Sequence, residues 1–307
     1  MKTPLLELLP ALPKTRDHQP RSGSGILAAF LLLALTFSGL KGDGILLRNF
    51  DLSPDGGLAF RLPPPLEEIS GLALAPDGRL FAHNDERAVF YQVDPETGGV
   101  IKRFSAGLGG VPGDFEGIAI AGKRFYLMTS GGEILETEEG SPGSAMSYRV
   151  HQTDLGRRCE LEGLAFDPEE ETLLLPCKEP RDRELRDHIV VFSIPVRTMR
   201  PLAVPRIFLP LEELKAFGMD DSFFPAGIEV HPETGGILLV SAREEAILEL
   251  GPRGTLLEAM ELRRKNHPQT EGITFLGDGS LLLADEGQGR RGRLTRYPPS
   301  LGSGGVP

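Results

Sequence analysis

Five glycines, Gly71, Gly117, Gly163, Gly227 and Gly272, each open an apolar run, and the residues ahead of them have types that could do chemistry. Immediately before them stand Ser70, Glu116, Glu162, Ala226 and Glu271. Two positions earlier stand Glu68, Asp114, Glu160, Phe224 and Gln269. Carboxylates gathered at one place raise each other's pKa unless a cation compensates. Hard oxygen donors of this kind suit Ca2+. Glu116, Glu162 and Glu271 are therefore candidate metal ligands, and Ca2+ is the candidate cofactor. Two other readings stand beside this one. A Glu-Gly at a strand start can be architectural, accepting backbone N–H groups from a neighbouring repeat, or the carboxylates could act on a substrate directly. The interruptions at Ser70 and Ala226 favour a specific site over a purely structural repeat.

A second polar group follows the second apolar run of several repeats: His83-Asn84-Asp85-Glu86, Cys177-Lys178-Glu179, Ser241-Ala242-Arg243-Glu244 and Asp285-Glu286. If one strand leaves a channel mouth and the next returns to it, both groups converge there. The candidate ligand pocket is then Glu68, Asp85, Lys178, Glu179, Arg243, Glu244, Asp285 and Glu286. Lys178 and Arg243 would hold an anionic ligand or pair with nearby carboxylates, and pairing is the simpler account of either alone. Of the histidines, His83 and His267 fall nearest this mouth. The sequence holds no G-x-S-x-G elbow, no H-E-x-x-H and no phosphate-binding glycine motif. A hydrolase here would need metal-activated water with a carboxylate as base.

The elements that position these residues are read from the repeat itself. The key glycines lie 46, 46, 64 and 45 residues apart, and a period near 45 with several strands per unit marks a β-propeller. In most units the first strand ends in a turn rich in Asp, Pro and Gly, such as Pro76-Asp77-Gly78 or Gly277-Asp278-Gly279. A second, third and fourth strand follow, as in RLFAH, AVFYQV and VIKRF. The last unit lacks its fourth strand, whereas residues 58–62 (LAFRL) form a strand without a unit. Placing that strand beside the last blade closes the ring and removes an open edge. The expected fold is all-β: a single β-propeller of about five four-stranded blades, closed by an N-terminal strand. The long 64-residue interval leaves room for insertions at residues 181–186 and 211–217, the second a short helix.

The segments ELEGLAFDPEEETLLLPCKEP, PAGIEVHPETGGILLVSAREEA and TEGITFLGDGSLLLADE resemble the SdiA-regulated (YjiK-like) family of envelope β-propellers. The resemblance covers roughly residues 45–297, with a more distant similarity to esterase-like phytase propellers and a fainter one to calcium-dependent lactonases. It implies the fold and an envelope location. It implies no settled activity.

Composition narrows the rest. A formal charge of −11 with no basic stripe after residue 60 argues against nucleic acid as a partner. The two cysteines, Cys159 and Cys177, fit neither a disulfide scaffold nor a zinc site. Pairing about a turn near Pro168 would bring them close in register, yet two separate thiols are the simpler expectation. Residues 1–25 are a basic N-terminal segment, and residues 26–40 (ILAAFLLLALTFSGL) an all-round apolar helix outside the domain. The run is shorter than the ~20 residues of a comfortable membrane span, and its basic flank fits a secretory signal or short signal anchor. The propeller occupies residues 41–297 and a tail residues 298–307. The chain reads as an exported propeller in the cell envelope or periplasm, membrane-associated through residues 26–40 or released by cleavage. It binds a small ligand or an envelope protein, with Ca2+ at its acidic mouth. The alternatives are a metal-dependent esterase or phosphoesterase and a scaffold that docks another envelope protein.

Overall fold

The computed structural model describes residues 46–300. The basic segment 1–25, the apolar segment 26–40 and residues 301–307 lie outside the described residues. The chain enters through a 3₁₀ turn, Leu46–Asn49, and strand β1 (Leu58–Arg61). Blade 1 is built from β2 (Ile69–Leu74), β3 (Leu80–Asn84), β4 (Val89–Val93) and β5 (Val100–Ala106). Blade 2 has β6 (Phe115–Ala121), β7 (Arg124–Thr129) and β8 (Glu133–Glu138). Next come the short β9 (Ala145–Met146), which pairs parallel to β5, and β10 (Tyr148–Gln152), which completes blade 2. Blade 3 comprises β11 (Cys159–Leu161), β12 (Ala165–Asp167), β13 (Thr172–Pro180), β14 (His188–Pro195) and β15 (Ile207–Pro210). Blade 4 is β16 (Gly227–Val230), β17 (Ile237–Ser241), β18 (Ala246–Leu250) and β19 (Leu256–Glu261). Blade 5 is β20 (Thr270–Phe275), β21 (Leu281–Asp285) and β22 (Arg293–Tyr297), with β1 as its fourth strand.

The five-blade ring and its closure match the repeat count. β1 runs antiparallel to β22, pairing Leu58 with Arg296 and Arg61 with Arg293. The insertion after blade 3 carries a 3₁₀ helix at Leu211–Phe217. The Asp residues of the inner turns act as their composition implies: Asp77 Oδ1 accepts the Arg79 N–H and Asp278 Oδ1 that of Ser280.

Each blade is sandwiched between two others, so both faces of its strands are buried and the core divides into five clusters, one per blade interface. Aliphatic side chains fill most of them, as a chain without Trp requires. Between blades 1 and 2, Phe81, Phe90, Phe104 and Phe125 pack with ring centroids 4.8–6.4 Å apart. Inner strands touch around the axis in sequence: β2 against β6, β6 against β12, β12 against β16, β16 against β20, and β20 back against β2. Backbone hydrogen bonds cement neighbouring blades, as from Phe115 N–H to Asp85 C=O at 2.8 Å and from Leu161 N–H to Ser130 C=O at 3.0 Å.

One expectation is corrected. Cys159 and Cys177 are not separate thiols but a disulfide, with Cα atoms 5.6 Å apart. The reason is that β11 continues along β13 beyond the β12–β13 hairpin, placing Cys159 opposite Pro180 and Leu161 opposite Cys177. The register shift between Glu160 and Leu161 brings the two cysteine positions together. Among the described residues, no helix is long and apolar enough to cross a membrane.

Candidate functional site

The residue before the key glycine is aimed by a recurrent backbone irregularity. In β2, β6 and β20 the register shifts there, so Ser70, Glu116 and Glu271 are extra residues opposite no partner. A bulge of this kind breaks the alternation of the strand and re-aims its side chain. In blade 3 the same position is a gap between β11 and β12, where Gly163 adopts φ 86°. Glu162 rides on that break.

Glu116, Glu162 and Glu271 converge as the repeat predicts, each lying within electrostatic reach of another member of the trio. Ser70 Oγ donates to Glu116 Oε2 at 3.2 Å, and Gln269 Nε2 donates to Glu271 Oε1 at 2.9 Å. Lys178 Nζ pairs with Glu162 Oε2. Burial, then the charges of Glu162 and Asp114, push the Glu116 carboxyl up to about 8. Burial raises Glu162 to about 7 even against the attraction of Lys178. Glu271 is raised well above the usual carboxylate range by burial and by Glu162. Burial works against the Lys178 charge, but Glu162, Glu116 and Glu271 together outweigh it and raise its pKa. One ammonium thus serves three carboxyl groups, which explains why the lysine gains while the acids stay raised.

Beside this ring stands a second acidic group at the junction of blades 1 and 5. Glu68 is raised chiefly by Asp85, Asp85 by burial and then by Glu86 and Asp114, and Glu286 by burial and then by Glu68 and Asp85. The buried oxygens Asn84 Oδ1 and Asp85 Oδ1 accept no hydrogen bond. Among the described residues, no three His, Cys, Asp or Glu side chains stand together closely enough to hold a metal ion.

The remaining pocket candidates divide. Arg243 pairs with Glu179 at 2.9 Å and stacks on Phe224, 3.8 Å from its ring centroid, so both stay near the rim as a partly exposed ion pair. Glu244 is engaged by the fold, accepting the Phe224 N–H at 2.9 Å and the Ser241 hydroxyl. Asp285 is wholly buried. It accepts the Thr270 hydroxyl at 3.0 Å and meets His267 Nδ1 at 3.0 Å, while His267 Nε2 lies 2.6 Å from the Tyr297 hydroxyl. This Asp–His–Tyr chain ties the last blade together from within. His83 is also fully buried, and burial lowers its pKa to about 4. Sequence reading missed Ser70 and Gln269 as hydrogen-bond partners of the acids. The positions of Ser70 and Gln269 in the repeat columns were the available signal.

Residues 209–297 match the model of the SdiA-regulated family. The resemblance carried by the repeats is borne out there, over the end of blade 3, all of blade 4 and the three strands of blade 5 that follow it. No curated protein matches the chain. Among solved structures this propeller is similar to a luciferin-regenerating enzyme, with 12% identity, a TM-score of 0.51, and coverage of 82% of this chain and 98% of that one. It is also similar to a glutaminyl cyclase from Myxococcus xanthus, with 15% identity, a TM-score of 0.47, and coverage of 79% and 94%. An aldose sugar dehydrogenase from Streptomyces coelicolor, in its PQQ-bound form, gives 14% identity, a TM-score of 0.48, and coverage of 80% and 99%. Identities this low concern the fold alone.

Proposed function

We propose that this exported propeller binds a cationic ligand at its acidic mouth, with Ca2+ the first candidate. The observation that carries the reading is the group Glu68, Asp85 and Glu286, in which Asp85 raises Glu68 and both add to the rise that burial gives Glu286, while buried acceptor oxygens of Asn84 and Asp85 stay unpartnered. Glu116, Glu162 and Glu271 are already served by Ser70, Lys178 and Gln269. The cation therefore fits better beside Glu68, Asp85 and Glu286 than within the glutamate ring. Carboxylate and amide oxygens are the donors Ca2+ prefers, and the exposed Glu68 side chain is free to swing in to complete the set. The cation would in turn hold a small ligand, or an acidic segment of an envelope protein, against the rim pair Glu179–Arg243.

Export through residues 26–40 is part of this reading. The Cys159–Cys177 disulfide supports it, because such bonds persist outside the reducing cytoplasm.

Calcium titration of the full chain, followed by thermal unfolding, tests the site. Calcium should raise the melting temperature, Asp85→Asn should remove the gain, and Glu162→Gln should leave it. A melting temperature indifferent to calcium sinks the proposal. Calcium-dependent turnover of lactones, aryl esters or phosphoesters would replace it with the metal-dependent hydrolase reading.

A further inference from the structure

The opposite end of the ring holds a second cavity. It is lined by the far ends of the five inner strands and the turns that follow them, and has a volume of about 490 Å3. Between the two ends lies a throat lined by Gly71, Gly117, Gly163 and Gly227, with a volume of about 10 Å3. That is close to the smallest space a single water needs. The cavity is therefore a blind cup, separate from the acidic mouth.

Its wall is mainly apolar, with Leu74, Ile120, Phe166 and Leu276 among the residues that line it. Among the described residues, the ionisable side chains lining it are Glu229, His231 and Glu233, all from blade 4, and no Lys or Arg does so. Glu229 Oε1 accepts the Val230 N–H at 2.8 Å, which leaves its second oxygen for another donor. Thr274, 1% exposed, stands near enough to favour the charged form of Glu229, yet its hydroxyl completes no hydrogen bond. Burial pushes the Glu229 carboxyl up to about 7, so its charge is carried at some cost, with no cation among the residues that line the cup to offset it. His231 Nδ1 accepts the Thr234 N–H at 3.2 Å, and burial lowers the pKa of the ring, which stays neutral and adds no cation. Apolar pockets of this size with a few convergent polar groups take small molecules. A carboxylate ligand would face Glu229 and Glu233. An uncharged ligand would leave the Glu229 charge uncompensated.

We propose that this cup binds an apolar small molecule carrying a protonated amine, whose N–H groups donate to Glu229 and to the Thr274 hydroxyl while its apolar body lies against Ile120, Phe166 and Leu276. The site is independent of the cation site at the other mouth.

Calorimetric titration of the full chain at about pH 8, where Glu229 is mostly ionised, with phenylbutylamine, phenylbutanol and phenylbutyrate tests it. The amine should bind, the alcohol should bind at least about tenfold more weakly, and the carboxylate should not bind. Glu229→Gln should bring the amine down to the level of the alcohol, while Asp85→Asn leaves amine binding unchanged. Should Glu229→Gln fail to fold, Leu74→Trp, which crowds the apolar wall of the cup and leaves Glu229 in place, should weaken amine binding at least about tenfold. Equal affinity for amine and alcohol, amine binding undiminished in either cup variant, or no binding of any probe would overturn the proposal.

Discussion

Lys178 reaches Glu162 from the mouth end of β13, and its charge is also felt at Glu116 and Glu271. A single ammonium cannot offset the desolvation of three carboxyl groups, so Glu116 and Glu162 titrate near 8 and 7 rather than in the usual acid range. The consequence for stability has a definite sign. Unfolded, these acids ionise near pH 4.5; folded, they hold their protons to higher pH. The folded state therefore binds more protons between those values, and stability falls as pH rises. The melting temperature should decline between about pH 5 and 8, and Glu116→Gln should flatten that decline. A profile unchanged by Glu116→Gln would show that the carboxyl is solvated and titrates normally.

At the scale of the element, the bulge before Gly71, Gly117 and Gly272 and the key glycines themselves do different jobs. The bulge turns Ser70, Glu116 and Glu271 away from the regular alternation. The glycine lets inner strands approach backbone to backbone. A Cβ on Gly227 would stand 2.3 Å from the Glu271 carbonyl oxygen, and one on Gly117 would stand 2.6 Å from the Leu164 nitrogen. Neither neighbour is the flexible end of a side chain, so the strands themselves would have to part. Gly227→Ala should cost about 1–3 kcal/mol in chemical denaturation, as overpacking does. An effect below a few tenths would mean that the throat is looser than its geometry. The disulfide belongs to this scale too, since it fastens β11 to β13 next to the break that carries Glu162.

At the scale of the whole molecule, the ring depends on β1, which comes from the opposite end of the chain to its partner β22. Phe50 also bridges Pro299, and the Ser300 N–H donates to Asn49 C=O at 2.6 Å, so the closure extends past the sheet. Replacing residues 58–61 with a Gly/Ser run of equal length removes four cross-strand pairs, for a loss of about 1–4 kcal/mol. It also bares the edge of β22, which invites pairing between copies. Size-exclusion chromatography should then show concentration-dependent association absent from the parent chain. A variant that remains monomeric and equally stable would mean that the latch is dispensable.

The sequence by itself determined the number of blades, the order of strands within them and the strand that closes the ring. These follow from local patterning: alternating apolar residues, turn chemistry and a glycine repeated at a near-constant interval. It also placed Glu116, Glu162 and Glu271 around one axis, because equivalent positions of a closed repeat must meet there. Tertiary structure decided which acids are already served and which are not. Lys178 could be placed at Glu162 only once β13 was set against the break at Gly163, and Asp285 proved a buried partner of His267 rather than a mouth residue. The disulfide depended on a register shift that no periodicity records. The cup around Glu229 is likewise invisible in the repeat, since it is made by five turns that touch the same empty volume only when the ring is closed.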